Sequence, residues 1–420
     1  MFGLTQKFKD PLYRNSIFLI TSLFLNAVTG FIFWVIATRL YSAEDVGLAS
    51  AIISAAMLLH LFSLMGFEFS LAHYIPSSDH KYRCELIIMS FIVVSILSIL
   101  LTFIFLLSLN IYNWSQALTN IMKKDIYICL FFTLFTTTIS LTALQTLGIF
   151  VGFRKTEYSF VQNAISSISK VMILPFLTSF GVYGIFMSVT LSTFLAFIVG
   201  LILTLKLISL YNIKHMKLRI KQARSVIHFS LGNYFGKILE LLPEYCLPLI
   251  ITNVLGAEEN AYFYIAWMLS SILFMIPRLV SHLLLAECSY NPKKIKDYSI
   301  EALKFSNIMS LPIIIGVFIF GEHILLLFFG EEYARKSFEI LLILCISNIP
   351  FSFNATYLAI KRVKEEVGKV ITIYGFIAFF TLLASQYLLQ RFGLFGAGIA
   401  WILAQSIVAI YSLVFIIFKS

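Results

Sequence analysis

The chain has 420 residues, 60% of them hydrophobic, 12% charged and 16% aromatic, with a mean hydropathy of +0.92. Soluble domains carry about 25% charged residues, and no stretch between the apolar runs is long enough for a soluble domain, so a soluble enzyme or nucleic-acid-binding module is excluded. The net charge of +10 is therefore read through its distribution across a membrane, not as a sign of an acidic partner.

Apolar runs of roughly 20 residues, the length that spans a bilayer, recur from end to end. They predict twelve transmembrane helices, over 16–40, 46–75, 86–109, 126–150, 158–180, 182–208, 227–253, 260–285, 304–329, 337–360, 370–390 and 393–418. The first is longer than the 7–15 residues of a signal-peptide core and is followed by Thr38-Arg39-Leu40-Tyr41, not by a small-residue cleavage site, so it is expected to stay as a helix.

Between spans 1 and 2 the chain reads Thr38-Arg39-Leu40-Tyr41-Ser42-Ala43-Glu44-Asp45-Val46-Gly47-Leu48. Between spans 7 and 8 it reads Thr252-Asn253-Val254-Leu255-Gly256-Ala257-Glu258-Glu259-Asn260-Ala261-Tyr262. Aligning Ala43-Glu44 with Ala257-Glu258 puts Thr38 on Thr252 and Gly47 on Ala261. Each copy closes one apolar helix and opens the next, with carboxylates in the first turn, where the positive helix end favours them. A membrane protein of two like halves is a transporter candidate, because such halves can rock about a site between them.

Span 5 carries Asn163, Ser166, Ser167, Ser169 and the cation Lys170. After span 6 comes a basic stretch without acids, Asn212 through Arg224. It divides the chain into an N-terminal six-helix bundle over 1–208, a linker over 209–226 and a C-terminal six-helix bundle over 227–420. Six is even, so both halves enter the membrane in the same sense, as a parallel repeat. Such a linker is expected to lie on a membrane surface near anionic lipid.

The lysines and arginines alternate in number between the two sides. Arg39, Lys123, Lys124, Arg335, Lys336 and Arg391 fall on one side, Lys170, Lys237 and Arg278 within spans, and all the others on the side of the N-terminus. This asymmetry predicts cytoplasmic termini in a multi-pass protein of the cytoplasmic membrane. The five cysteines are scattered and suggest free thiols, not a disulfide frame or a metal site.

Charges at membrane depth are the informative exceptions. Each costs at least about 2.5–3.5 kcal/mol at mid-bilayer and usually faces protein or a water-filled pathway. They are Glu68 in span 2, Lys170 in span 5, Lys237, Glu240 and Glu244 in span 7, and Arg278 in span 8. Lys237, Glu240 and Glu244 share one helix face, beside the prolines Pro243 and Pro248. Lys237 can pair with Glu240. Arg278, which follows Pro277, can either neutralise Glu244 or bind phosphate, whose oxygens guanidinium matches bidentately. If span 2 stops at Phe69, Glu68 sits near its end instead. The lone histidines His60, His73, His282 and His323 read as packing or interfacial residues. GxxxxGK[ST], GxSxG, HExxH and CxxC are absent, so no catalytic residue, metal site or cofactor is assigned.

Two stretches resemble one family. Arg39 through Gly47, and Pro277 through Ser289 with its ending Leu284-Leu285-Ala286-Glu287-Cys288-Ser289, resemble the first outer turn and the end of the eighth helix of polysaccharide-biosynthesis flippases. These belong with the multidrug and toxin extrusion exporters and the lipid II flippases. The resemblance implies an all-α, V-shaped pair of bundles alternating between inward- and outward-open states, with a cationic cavity for the lipid pyrophosphate and sugars of an O-antigen-type precursor. It makes Lys170, Lys237 and Arg278 the substrate-binding cations. Glu240 and Glu244 become candidates for binding a coupling H+ or Na+. Twelve spans argue against lipid II, whose flippases have fourteen. The expected partners are a lipid-linked oligosaccharide and membrane lipids, with no nucleic acid and a monomeric protein. A cation-coupled drug antiporter of the same fold is the alternative, favoured by the carboxylates. A membrane polysaccharide polymerase or ligase is the third reading, and the outer loop at 110–125 offers it only Lys123, Lys124 and Asp125.

Overall fold

A computed structural model of the protein describes residues 11–112, 115–124, 126–208 and 220–418. Among them every regular element is helical. In lipid a spanning chain must satisfy its backbone polar groups internally, and apolar runs of this length do so as helices. The first half of the chain forms α1 (Pro11–Leu40), α2 (Ala43–Leu64), α3 (Phe67–Ser77), α4 (His80–Tyr112), α5 (Gln116–Lys124), α6 (Ile126–Ala143), α7 (Thr156–Ile173) and α8 (Val182–Ile208). The second half forms α9 (Ile220–Val254), α10 (Ala257–Tyr290), α11 (Ile295–Phe329), α12 (Glu331–Ile346), α13 (Asn348–Val363), α14 (Val367–Phe392) and α15 (Phe395–Phe418).

Eleven stretches are long and apolar enough to cross a membrane among the described residues. They account for the predicted spans except 227–253, which lies in α9. That helix is 35 residues long and carries Lys237, Glu240 and Glu244 along its apolar stretch. Residues 209–219 of the predicted linker lie outside the described residues, and the remainder opens α9. Asp125 also lies outside them.

The prediction of one helix over 46–75 is corrected. Met65 and Gly66 both take left-handed backbone angles, with φ of 46° and 76°, which glycine adopts freely. The chain turns there, and Glu68 falls in the first turn of short helix α3, 2% exposed. Span 10 is likewise two consecutive helices, α12 and α13, meeting at Ser347. Pro243, Pro248, Pro277 and Pro312 are accommodated inside continuous helices. Pro175 instead ends α7, and the chain tightens to a 3₁₀ segment over Leu174–Phe180.

The chain forms two compact units, Met1–Tyr41 with Ala55–Tyr234, and Ser42–Ser54 with Phe235–Ser420. In the first, the core gathers Leu64, Phe67, Leu71, Leu86, Leu144 and Phe150. Following α6 the helix widens to a π-turn over Leu144–Ile149. This turn carries Gln145, whose Oε1 accepts a hydrogen bond from Gln162 Nε2 at 2.5 Å, and Gln162 also donates to Ala196 O at 3.1 Å. Both amides are fully buried. The pair fits between the π-turn, α7 and α8 because position 200 is glycine: a Cβ there would lie 2.3 Å from each amide. Ser167 donates to Asn26 Oδ1 at 2.5 Å and ties α7 to α1.

The second unit includes the opening turns of α2. Ser42 caps α2 through its hydroxyl, which accepts from the Asp45 amide at 3.1 Å and donates to the Asp45 carboxylate at 2.7 Å. Asn260 of α10 donates to Gly47 O at 2.8 Å and to Ser50 Oγ at 3.0 Å. Trp267 packs edge to face on Phe274 and on Trp401, with the two indoles 5.1 Å apart, and Phe274 lies tilted against Trp401. Asn354 joins α13 to α15 by donating to Gln405 Oε1 at 2.8 Å and accepting from Ser412 at 3.1 Å.

Candidate functional site

The charged residues that the sequence singles out fall in both units. Lys170 belongs to the first. It stands one turn beyond Ser167 on α7, half-buried, with its ammonium 5.7 Å from the centre of the Phe33 ring on α1. No carboxylate within 4 Å neutralises it among the described residues. A cation held over an aromatic face keeps part of its charge compensated without an anion, and the ammonium stays able to accept one.

Lys237, Glu240, Glu244 and Arg278 belong to the second unit. Their spacing dictates the local geometry. Glu240 and Glu244 are one turn apart on α9, and all three α9 side chains are half-buried. Arg278 follows Pro277 on α10, with Ser281 bonded back to its carbonyl at 2.7 Å. Its Nε lies 3.7 Å from Glu240 Oε1, with the two side chains 32% and 24% exposed. The guanidinium stands 5.6 Å from the centre of the Phe351 ring on α13.

Arg278 therefore pairs with Glu240, and not with Glu244 as one of the two sequence readings has it. Glu244 remains an electrostatic neighbour of both. The Arg278 Nε is buried and makes no hydrogen bond among the described residues. A guanidinium carries five N–H donors, and a single ion contact at 3.7 Å leaves most of them uncommitted. Such a group can take an oxyanion.

Three members of this cluster are not legible in the sequence as site residues. Arg362 of α13 donates to the Tyr374 hydroxyl on α14 at 3.3 Å and stands 5.9 Å from that ring. Tyr374 in turn neighbours Glu240. His282, one turn beyond Arg278, is an electrostatic neighbour of Arg362, Glu240 and Arg278. Arg362 counts in the sequence as a loop charge at the end of a span, and Tyr374 is one of 20 tyrosines. The one usable signal is the spacing of Arg278 and His282, which puts them on one helix face. Among the described residues no three His, Cys, Asp or Glu side chains converge as metal ligands.

Comparisons with known proteins accord with this architecture. A putative O-antigen transporter of Shigella flexneri is 28% identical over 160 residues, 36% of this chain. The chain matches only 37% of that relative's length. Among solved structures, the inward-facing form of a multidrug resistance MATE transporter of the MOP superfamily superposes with a TM-score of 0.75 at 14% identity, over 94% of both chains. The lipid II flippase MurJ in an inward closed conformation gives 0.77 at 15% identity, over 95% of this chain and 87% of that one. At such identities the likeness shows the fold, that of two-lobed helical transporters, and the all-α expectation is met. The profile of polysaccharide biosynthesis proteins matches residues 12–281, a range that contains Lys170, Lys237, Glu240, Glu244 and Arg278. More than half of the chain lies within that match, and the chain, with its many helices long and apolar enough to cross a membrane, accordingly belongs to the polysaccharide biosynthesis protein family.

Proposed function

We propose that this protein moves a polyprenyl-pyrophosphate-linked oligosaccharide across the cytoplasmic membrane by alternating access of its bundles over 1–208 and 227–420. The family match over residues 12–281 carries this reading. Lys170, Lys237 and Arg278 bind the pyrophosphate, whose oxygens suit a guanidinium with uncommitted donors. Glu240 holds Arg278 while substrate is absent and exchanges places with the pyrophosphate when it arrives. Both termini and the 209–226 linker face the cytoplasm in this reading, which the distribution of Lys and Arg supports. An impermeant thiol reagent added outside should therefore label a cysteine placed at Glu258 and spare one placed at Lys217. The opposite pattern would overturn this orientation.

No nucleotide-binding motif is present, so the work comes from the substrate gradient, from ions or from the membrane potential. One charge crossing 100 mV supplies about 2.3 kcal/mol. Glu240 and Glu244 are the proposed carriers of a coupling proton or sodium ion. The test is made in cells that lack their own exporter of a lipid-linked glycan. Expression of this chain should restore surface polysaccharide, and expression of Lys237→Ala/Arg278→Ala should not, with both proteins equally abundant in the membrane. Full export by the double variant would remove the cations from the reading. Failure of the native chain, joined to efflux of organic cations, would replace it with drug antiport.

A further inference from the structure

The second copy of the duplicated turn has no task in transport as proposed, and it has a structural echo. Gly256 precedes α10 at φ 101°, ψ 171°, and Gly330 precedes α12 at φ 104°, ψ 174°. Both glycines open a helix whose first turn carries two glutamates, Glu258 and Glu259 in one and Glu331 and Glu332 in the other. Helices α10 and α12 pack together. Lys336 neutralises Glu259 at 3.3 Å. Glu258 and Glu332 converge instead on one phenol: the Tyr262 hydroxyl donates to Glu258 Oε1 at 2.7 Å and lies 3.5 Å from Glu332 Oε2.

A phenol has one proton, so it cannot fully satisfy two carboxylates. Beside it stands a second phenol. Tyr333 is 4% exposed, its ring sits edge-on to Tyr262 at 5.1 Å, and Glu332 and Glu258 act on it electrostatically. Its hydroxyl is buried and has no hydrogen-bond partner among the described residues. Buried hydroxyls are normally paired. The favourable field of a helix N-terminus accounts for glutamates in first turns. It accounts neither for two of them meeting on one oxygen nor for the orphan hydroxyl at their side.

We propose that Glu258, Glu332, Tyr262 and Tyr333 form a site for a hard divalent cation of the calcium type, which ties the first turn of α10 to the first turn of α12. The donors are all oxygen, two of them anionic, with no nitrogen or sulfur to select a transition metal. Water completes the shell on the exposed side, where Glu258 and Glu332 lie. Two carboxylates make a weak site, with a dissociation constant on the order of 10⁻⁴–10⁻³ M, as in extracellular calcium modules.

Terbium(III) tests this directly, since it takes calcium's ligands and emits when a tyrosine within a few ångströms is excited. The full chain in detergent should show saturable terbium emission that calcium displaces. Glu258→Gln/Glu332→Gln should lose at least nine-tenths of the displaceable emission, and Tyr333→Phe should weaken calcium competition several-fold. Calcium should also raise the melting temperature of the native chain and leave that of the double variant unmoved. If the double variant proves too unstable to purify, Glu332→Gln alone should weaken calcium binding at least tenfold. Equal calcium-displaceable emission in native chain and variants would overturn the site. So would a melting temperature that answers to pH and ignores calcium, since the two carboxylates would then share a proton.

Discussion

Gly47 lies so close to the backbone of Ala257 that a Cβ at position 47 would come within 1.7 Å of the Ala257 carbonyl oxygen and 3.1 Å of the Ala261 amide nitrogen. The two copies of the duplicated turn therefore pack on each other, Gly47 of the first against the opening turn of α10 in the second. The obstacle is backbone, which no rotamer change relieves. Overpacking ordinarily costs about 1–3 kcal/mol, and here Gly47→Ala should reach the upper end of that range. Thermal unfolding of the purified protein should show a clear fall in melting temperature for Gly47→Ala and no folded material for Gly47→Val. An unchanged melting temperature for Gly47→Ala would contradict the packing described.

The buried amide pair of the first unit gives a sharper energetic test. Truncating one partner leaves the other amide unsatisfied, at about 1–3 kcal/mol, whereas replacing both with apolar groups of similar shape is nearly neutral. Gln162→Leu alone should therefore destabilise more than Gln145→Leu/Gln162→Leu. Melting temperatures of the single and double variants decide it. Strictly additive losses would mean that the pair is not coupled.

At the turn between α13 and α14, Glu366 accepts from Lys369 and from the buried Lys361, the latter at 3.3 Å. Lys369 above all, with Lys361, holds the Glu366 carboxyl below its usual range. A carboxyl whose folded value is depressed gives stability that is full above the unfolded carboxylate value and is lost as pH falls through the folded one. The native chain should thus lose stability relative to Glu366→Gln as acid is added through and below the ordinary carboxylate range, and keep its advantage at neutral pH. Parallel melting curves against pH for the two proteins would rule this contribution out.

Coupling is tested at Glu244, which is half-buried one turn from Glu240. If this pair carries the ion, Glu244→Gln should abolish the response of transport to an imposed proton or sodium gradient while the substrate gradient still drives movement. Initial rates in vesicles with and without each gradient measure it. A variant that responds as the native chain does would leave Glu244 a structural neighbour of the Arg278–Glu240 pair.

The sequence carries the helices because runs of apolar residues leave the backbone one way to satisfy itself in lipid. It carries Lys170, Lys237, Glu240, Glu244 and Arg278 because charge in such runs is rare enough to stand out. It does not carry the break at Met65–Gly66, since an apolar run continues through that point and the signal is a single glycine. Nor does it carry Arg362 and Tyr374. Their place beside Glu240 depends on how α14 meets α9, where Val370 lies against Gly236 and Leu239 against Gly375, a contact that no local pattern in the sequence specifies. The pairing of Arg278 with Glu240 and not Glu244 is likewise a matter of one helical turn between neighbouring elements.

The proposal of lipid-linked glycan transport is tested most directly by flipping in sealed vesicles. The purified chain is reconstituted with a fluorescent polyprenyl-pyrophosphate oligosaccharide, and transfer between leaflets is followed with an impermeant quencher. Charge-assisted hydrogen bonds are worth about 1.5–3 kcal/mol each, so loss of the Arg278 guanidinium should slow transfer at least tenfold. The native chain should transfer the lipid, and Arg278→Ala should do so at a tenth of that rate or less. No transfer by the native chain above protein-free vesicles, or equal rates for the native chain and Arg278→Ala, would contradict the account.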